Sequence, residues 1–385
     1  MEWLYILMPI SGVFIFWPGL VILGLGVGII GGFFGMGGAW MVTPGLNILG
    51  FPMAFAIGTD VAQMAGKSLI STMRHGKFGN VDYGLGLTML VGTIVGVEVG
   101  AQMVMWLERL GSVDKVVRWL YVVLLVLLAW LVFHDIAARR KKEREAKAQN
   151  KELDHGATGV DWASRLHAIK IPPMFHFKQA NITCSAWLPI FVSFFTGWLA
   201  GILGIGGGLI RMPALVYLVG CPTHLAVGTD LFEVAISGLY GTASYAYKGR
   251  VELLAALVML CGAAIGAQIG VVATKYVKGY GIRFVFGLAV LGCLVSVLCK
   301  LIEAEFPAWG WLLGPAATID VLGFVTAISL YITVKMVQGA KAEIAAKWNV
   351  DRTFTPTMAP ETRERQYKGW KKAVERSRAW EDTEG

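Results

Sequence analysis

The residues of this sequence that could do chemistry are polar and charged side chains embedded in long apolar runs. Asp60, Gln63 and Lys67 stand at i, i+3 and i+7, the spacing of one helical face, and Asp230 with Glu233 repeats the start of that pattern. Thr59 and Thr229 directly precede the two aspartates and are expected to help hold an anion together with backbone amides and one basic group. Arg211 interrupts a short apolar stretch whose earlier counterpart carries Val42, and Glu98 lies between Gly96 and Gly100 where the later counterpart has Gln268. An ion inside a bilayer costs roughly 2.5–3.5 kcal/mol on insertion scales, so these groups are expected to face protein or a water-filled cavity. Lys67 and Arg211 suit the role of an anion's charge partner, although Arg211 could equally pair with Asp230 or Glu233. Asp60 and Asp230 are either helix caps or, with Glu98 and Glu233, carboxylates that take up a proton when an anion arrives.

Two glycine clusters accompany them. Gly35-Met36-Gly37-Gly38 is followed by Pro44, and Gly204-Ile205-Gly206-Gly207-Gly208 by Pro213. Clustered glycines unwind a helix and leave backbone amides to be satisfied by protein or cavity water, which inside a membrane marks a binding site. Amides at a helix start carry partial positive charge and suit an anion without any base or nucleophile. Gly26-Val27-Gly28-Ile29-Ile30-Gly31 has the letters of a dinucleotide fingerprint but lies inside an apolar span, without the strand and acidic residue that motif needs. The four-residue spacing of Gly24, Gly28 and Gly32, and of the Gly92 and Gly262 series, instead reads as ridges that let membrane helices pack closely.

The elements that must position these residues are membrane helices. The 385 residues are 56% hydrophobic and only 16% charged, against about a quarter charged in soluble domains. Apolar runs predict spans near 12–34, 53–73, 83–107, 116–136, 187–204, 223–247, 252–274, 282–300 and 312–337, with two shorter pieces, 39–50 and 208–219, reading as re-entrant or broken helix. The first apolar run, without a basic stretch before it or a small-residue cleavage site after it, reads as a retained span. The predicted fold is an all-α polytopic membrane protein of two homologous four-span halves with broken glycine-rich segments, plus a ninth span. Its divisions are residues 1–136, a polar linker 137–186, residues 187–300, an added span within 301–338 and a charged tail 339–385.

The halves rest on an internal repeat. The glycine clusters recur at an offset of 169, while Gly58-Thr59-Asp60 returns as Gly228-Thr229-Asp230, Gly79-Asn80-Val81-Asp82 as Gly249-Arg250-Val251-Glu252, and Gly92, Gly96 and Gly100 as Gly262, Gly266 and Gly270, all at an offset of 170. Four spans in each half predict that both halves start from the same face, related by an axis along the membrane normal. The Lys and Arg residues from Arg139 onward predict a cytoplasmic linker. Parity then sends the tail outside, against the preference of Lys335, Lys341 and Lys347.

Other classes of function find little support. Cys184, Cys221, Cys261, Cys293 and Cys299 lack metal-ligand spacing and read as packing residues. The six histidines show none either, and only His75 lies near the presumed pathway. The net charge of +8 collects in loops beside apolar runs, as anionic lipid and topology require, which argues against nucleic acid. No nucleophile with a base, no phosphate loop and no metal set points to an enzyme or a cofactor.

The paired glycine-cluster-then-proline segments, the Gly-Thr-Asp after each, and Gly266-Ala267-Gln268-Ile269-Gly270 resemble the sulfite exporter TauE/SafE family, also called the toluene sulfonate uptake permeases. The resemblance covers residues 12–136 and 187–300. It implies an inner-membrane carrier of sulfite, sulfoacetate, sulfonates or a related sulfur anion, with the family's glycine motifs falling on Gly35, Gly37, Gly38, Gly204, Gly206 and Gly207. Asp60 and Asp230 stand where many members have a neutral polar residue; that departure, the long linker and the ninth span leave substrate and coupling open. The expected partners are a small anion and lipid, and the small-residue ridges would also permit a homodimer. A cation carrier built on Asp60, Asp230, Glu233 and Glu98, and a membrane sensor, are the competing readings.

Overall fold

Long apolar runs bounded by glycine, proline and charge become helices because a bilayer leaves the backbone no other partner for its N–H and C=O groups. The computed structural model describes residues 4–34, 39–148, 171–274, 276, 280–347 and 357–378. In chain order the helices are α1 (Trp17–Phe34), α2 (Ala39–Ile48), α3 (Met53–Lys77), α4 (Tyr83–Arg109) and α5 (Val113–Ala148), followed by α6 (Trp187–Leu203), α7 (Gly208–Tyr217), α8 (Thr223–Tyr247), α9 (Leu253–Ala273), α10 (Tyr280–Glu305), α11 (Gly310–Lys347) and α12 (Pro360–Arg378). Among the described residues five stretches are long and apolar enough to cross a membrane: α4, residues 113–134 of α5, α9, residues 287–305 of α10, and residues 307–343, most of them in α11. Helices α3 and α8, 25 residues each, have the length but are more polar, since they carry Asp60, Gln63, Lys67, Asp230 and Glu233.

Two short antiparallel hairpins, β1–β2 (Tyr5–Leu7, Phe14–Phe16) and β3–β4 (Met174–Phe177, Ile182–Ser185), were not legible as strands and qualify the all-α expectation. The second lies within the stretch expected to be polar linker, and α5 runs on to Ala148, past the predicted end at 136. Residues 149–170 lie outside the described residues.

The expected count of crossings changes. The pieces 12–34 and 187–204 form apolar helices shorter than the five long stretches, and each is the first arm of a helical hairpin. A Cβ on Gly19 would touch Leu49, and one on Gly45 would touch Leu23, so α1 and α2 run antiparallel. Likewise Arg211 of α7 lies against Thr196 of α6. Three helices follow that hairpin in the first half, α3, α4 and α5, so the chain enters the second half from the opposite end of the bundle. Consistently, α3 and α8 are antiparallel: Gly58 packs on the Arg250 carbonyl, Gly241 on Val61 and Gly228 on the Asn80 carbonyl. The axis along the membrane normal is therefore replaced by an antiparallel arrangement.

Glycine ridges set the tightest contacts. Gly24, Gly28 and Gly32 of α1 meet the backbone of Met259, Ala263 and Ala267 in α9, while Gly92, Gly96 and Gly100 of α4 meet that of residues 190–201 in α6. Any side chain there would strike backbone, which is why these positions are glycine. The tail from Lys341 onward is a separate unit. Its helix α12 has no buried residue, and Tyr367 stacks on Trp370 and lies under the Lys371 ammonium.

Candidate functional site

The second glycine cluster breaks the backbone as its sequence suggests. Helix α6 ends at Leu203, and Gly204, Gly206 and Gly207 take φ of +73°, +68° and +73°, a left-handed conformation that glycine alone adopts without penalty. All three are buried. A Cβ on Gly204 would fall 2.5 Å from the Thr43 hydroxyl, and one on Gly207 would fall 2.6 Å from a terminal nitrogen of Arg211, so the missing side chains make room for polar groups. At Gly206 it would strike the Met64 sulfur. Two buried phenols satisfy the carbonyls of the interrupted helix: Tyr245 donates to Gly201 at 2.6 Å, and Tyr121 to Leu203. Ile210 and Arg211 donate their N–H groups to the Gly207 carbonyl, which starts α7. The first cluster, Gly35, Gly37 and Gly38, lies outside the described residues.

Around this break the structure gathers most of the expected polar side chains into a buried layer of two groups, one about Arg211 and one about Asp60. Arg211 is wholly enclosed; its Nε donates to Thr196 Oγ1 at 3.0 Å, and its Nη1 pairs with Asp230 Oδ1 at 3.4 Å and with Glu233. Its other terminal nitrogen has no hydrogen-bond partner among the described residues. On α3, Asp60 accepts from Thr43 at 2.8 Å through one oxygen, while its other oxygen and both ends of the Gln63 amide lack partners among the described residues. Because Thr43 also lines Gly204, the break after α6 abuts the polar groups of α3. Unsatisfied buried polar atoms are costly, on the order of 1–3 kcal/mol each, and their presence on both sides of the break suits a site that a ligand or water completes. Lys67, 8% exposed, stands in the wall of a cavity of about 750 Å³ shared with Ser71, His75, Lys77 and Gln268.

Other expected residues go elsewhere. Asp60 and Asp230 do not cap helices: α3 and α8 are preceded by Pro52 and Pro222, and the aspartates lie two turns inside. Thr59 and Thr229 make matched contacts across the molecule, accepting the backbone N–H of Glu252 at 3.0 Å and of Asp82 at 2.9 Å. Glu98 belongs to a separate cluster with Lys248, Ser244, Tyr240 and Gln102. Among the described residues no group of three His, Cys, Asp or Glu side chains could hold a metal.

Sequence reasoning passed over Thr43, Thr196, Tyr121 and Tyr245, whose positions carry no local signature. It also missed what Asp82 and Glu252 do. Asp82 accepts the N–H groups of Gln179 and Ala180 in the turn of one β-hairpin, and Glu252 those of Ile10 and Ser11 in the turn of the other. The signal was their recurrence at the offset of 170.

Comparison with known proteins agrees with this architecture. The family model of the sulfite exporter TauE/SafE matches residues 20–297. A probable membrane transporter protein of Bacillus subtilis, YunE, is 26% identical over 291 residues, covering 74% of this chain and 96% of that protein. One from Methanocaldococcus jannaschii is 23% identical over 293 residues, 72% of this chain and 93% of its own. A glycerol kinase of Symbiobacterium thermophilum is 56% identical over 41 residues alone, 11% of this chain and 8% of the kinase. No solved structure matches. With the match running through the glycine break, the buried polar layer and all the helices that enclose them, the chain belongs to the sulfite exporter TauE/SafE family.

Proposed function

We propose that this protein is a secondary transporter of a small anion, sulfite or another sulfur oxyanion or organosulfonate, in a bacterial inner membrane with the linker cytoplasmic. The observation that carries the reading is the buried Arg211 guanidinium, which keeps one nitrogen without a partner among the described residues, beside a glycine break whose αL residues clear space for it. A dispersed oxyanion charge suits a guanidinium edge and backbone N–H groups together. Lys67, with His75 and Lys77 in the same cavity, would draw the anion toward the layer from the linker face. Gly204, Gly206 and Gly207, and Gly35, Gly37 and Gly38 by repetition, complete the proposed site. Thr59 and Thr229 support it by locking α3 and α8 to the opposite loops. The relatives named as membrane transporters support the class, and the family description supports the sulfur anion.

Two related halves are part of this reading. Matched Thr59 and Thr229 contacts, matched hairpin clamps on Asp82 and Glu252, and the matched pairs α1 with α9 and α6 with α4 all support an antiparallel duplication, with α11 as an addition. Such repeats suit alternating access.

The layer holds Asp60, Asp230 and Glu233 against Lys67 and Arg211, so an arriving anion meets one surplus carboxylate. Uptake of a proton by one of these carboxylates, or by Glu98, would remove the repulsion and couple transport to a proton gradient. Measuring sulfite uptake and binding in proteoliposomes from about pH 5.5 to about pH 8.5, with sulfite's own ionisation accounted for, tests both parts. Wild-type protein that moves neither sulfite nor thiosulfate, sulfate or methanesulfonate overturns the carrier reading. A pH dependence that survives Asp60→Asn, Asp230→Asn, Glu233→Gln and Glu98→Gln overturns the coupling.

A further inference from the structure

On the face opposite the linker, a cleft of about 740 Å³ opens between α4 and α8, walled by Glu98, Glu108, Arg109, Tyr240, Lys248 and Arg250. Its three cations outnumber its two carboxylates. Lys248 Nζ lies 3.0 Å from Glu98 and donates also to Ser244, and Arg250 Nε lies 2.9 Å from Glu108. These side chains keep 13–33% of their surface in contact with the surroundings. Partly exposed ion pairs contribute little to stability, so fold maintenance is a weak reason to collect two of them on one wall.

The cleft also has a counterpart. The cavity that Lys67 borders, about 750 Å³, lies between α3 and α9 on the linker face. Under the offset of 170, α3 corresponds to α8 and α9 to α4, so the two hollows are built from matching helix pairs that open to opposite faces. Glu98 stands where the other hollow has Gln268, and Lys248 where it has Phe78.

We propose that the cleft around Lys248 and Arg250 is a second anion site, the mouth of the pathway on the face opposite the linker, in which Glu98 and Glu108 hold the two cations until a small oxyanion takes their place. The inference rests on the carrier reading. Exchange of one anionic partner for another costs little, because both offer the same oxygen acceptors to an ammonium and a guanidinium. In this arrangement Glu98 is a resident competitor for Lys248, a role distinct from that of a binding or coupling group in the buried layer.

The two roles separate by sidedness. Uptake of radiolabelled sulfite is measured in spheroplasts and in everted vesicles, which present opposite faces, with wild type, Lys248→Gln, Lys248→Arg and Glu98→Gln. Lys248→Gln is expected to raise KM from the opposite face by about tenfold, the loss of one charge-assisted bond, and to change it less than about threefold from the linker face. Lys248→Arg is expected to recover most of the loss. Glu98→Gln, which keeps the shape and removes the competing charge, is expected to lower KM from the opposite face. Equal changes from both faces, or a KM that rises with Glu98→Gln as it does with Lys248→Gln, overturn the second site while leaving the carrier intact. Should Lys248→Gln fail to reach the membrane, the sign of the Glu98→Gln effect decides alone. A wild type that takes up no sulfite from either face sinks the carrier reading and the second mouth with it.

Discussion

Replacing Arg211 with methionine should destabilise the ligand-free protein strongly, and the reason lies in what the guanidinium leaves behind. Arg211 and Glu233 are wholly buried and Asp230 is 7% exposed. Without the arginine, two carboxylates face each other with no cation among their described partners, and Thr196 loses a donor. Removing one partner of a buried ion pair costs about 3–5 kcal/mol, because the remaining charge stays desolvated. Methionine fills much of the volume, so a cavity contributes little. At about 2–4 °C per kcal/mol for mid-sized domains, and less for longer chains, the melting point in detergent should fall on the order of 5 °C or more. Adding Asp230→Asn and Glu233→Gln to Arg211→Met should recover over half of that loss, since neutral isosteres need no cation. The assay is thermal unfolding of the purified protein, followed by tryptophan fluorescence, with the single, double and triple variants forming a cycle. A single variant within about 1 °C of wild type, or a triple variant no better than the single, would refute the claim that Arg211 neutralises these carboxylates.

Gly206→Leu should abolish sulfite uptake while the protein still reaches the membrane, because its φ of +68° and the underlying Met64 leave no place for a side chain at the break; Gly96→Leu, which strikes the backbone of α6, should instead lower membrane yield on immunoblots. Thr59→Val and Thr229→Val each leave a buried N–H without its acceptor, and each should cost about 1–3 kcal/mol in thermal unfolding, with neither changing the anion's KM. Phe78→Cys and Leu110→Cys, placed in a background without native cysteines, should react with a membrane-impermeant maleimide from opposite faces of the membrane; reaction from the same face is incompatible with α4 crossing between them.

The sequence made the helices and the glycine break legible for physical reasons, and hid the rest for physical reasons too. Apolar length and glycine spacing are local properties, so α4, α9 and the close approaches of Gly28 and Gly266 could be read directly. The buried layer was half legible. Asp60, Arg211, Asp230 and Glu233 stand out because ions in apolar runs are expensive, whereas Thr43 and Thr196 cost little in a helix and are indistinguishable from ordinary polar residues until their partners are seen. Tyr121 and Tyr245 were invisible because an aromatic in a membrane helix looks apolar, although here their hydroxyls satisfy carbonyls released by the break. Thr59 and Thr229 looked like ligand groups, being polar and adjacent to aspartate. Their acceptor role depends on a loop some 150 to 190 residues away, which no local pattern reports.

The relation between the two proposed halves turned on one question that hydropathy does not answer: whether an apolar run of 17 or 18 residues passes through the bilayer or turns back inside it. Counted as a crossing, α1 gives its half four spans and forces a parallel repeat. Once Gly19 is found against Leu49 and Gly45 against Leu23, α1 becomes one arm of a hairpin and three crossings remain. Everything else then follows from parity. On that count the linker and the end of α11 would share a face, as their lysines and arginines require. Hairpin clamps on Asp82 and Glu252 lie at opposite ends of the antiparallel pair α3 and α8, so on the proposed topology each face of the membrane carries one helical hairpin dipping toward the same buried layer. An anion reaching that layer from either side therefore meets an equivalent approach, and the chemical inequality between the two approaches, Lys67 in one cavity and the Glu98–Lys248 pair in the other, is where direction and coupling would be set.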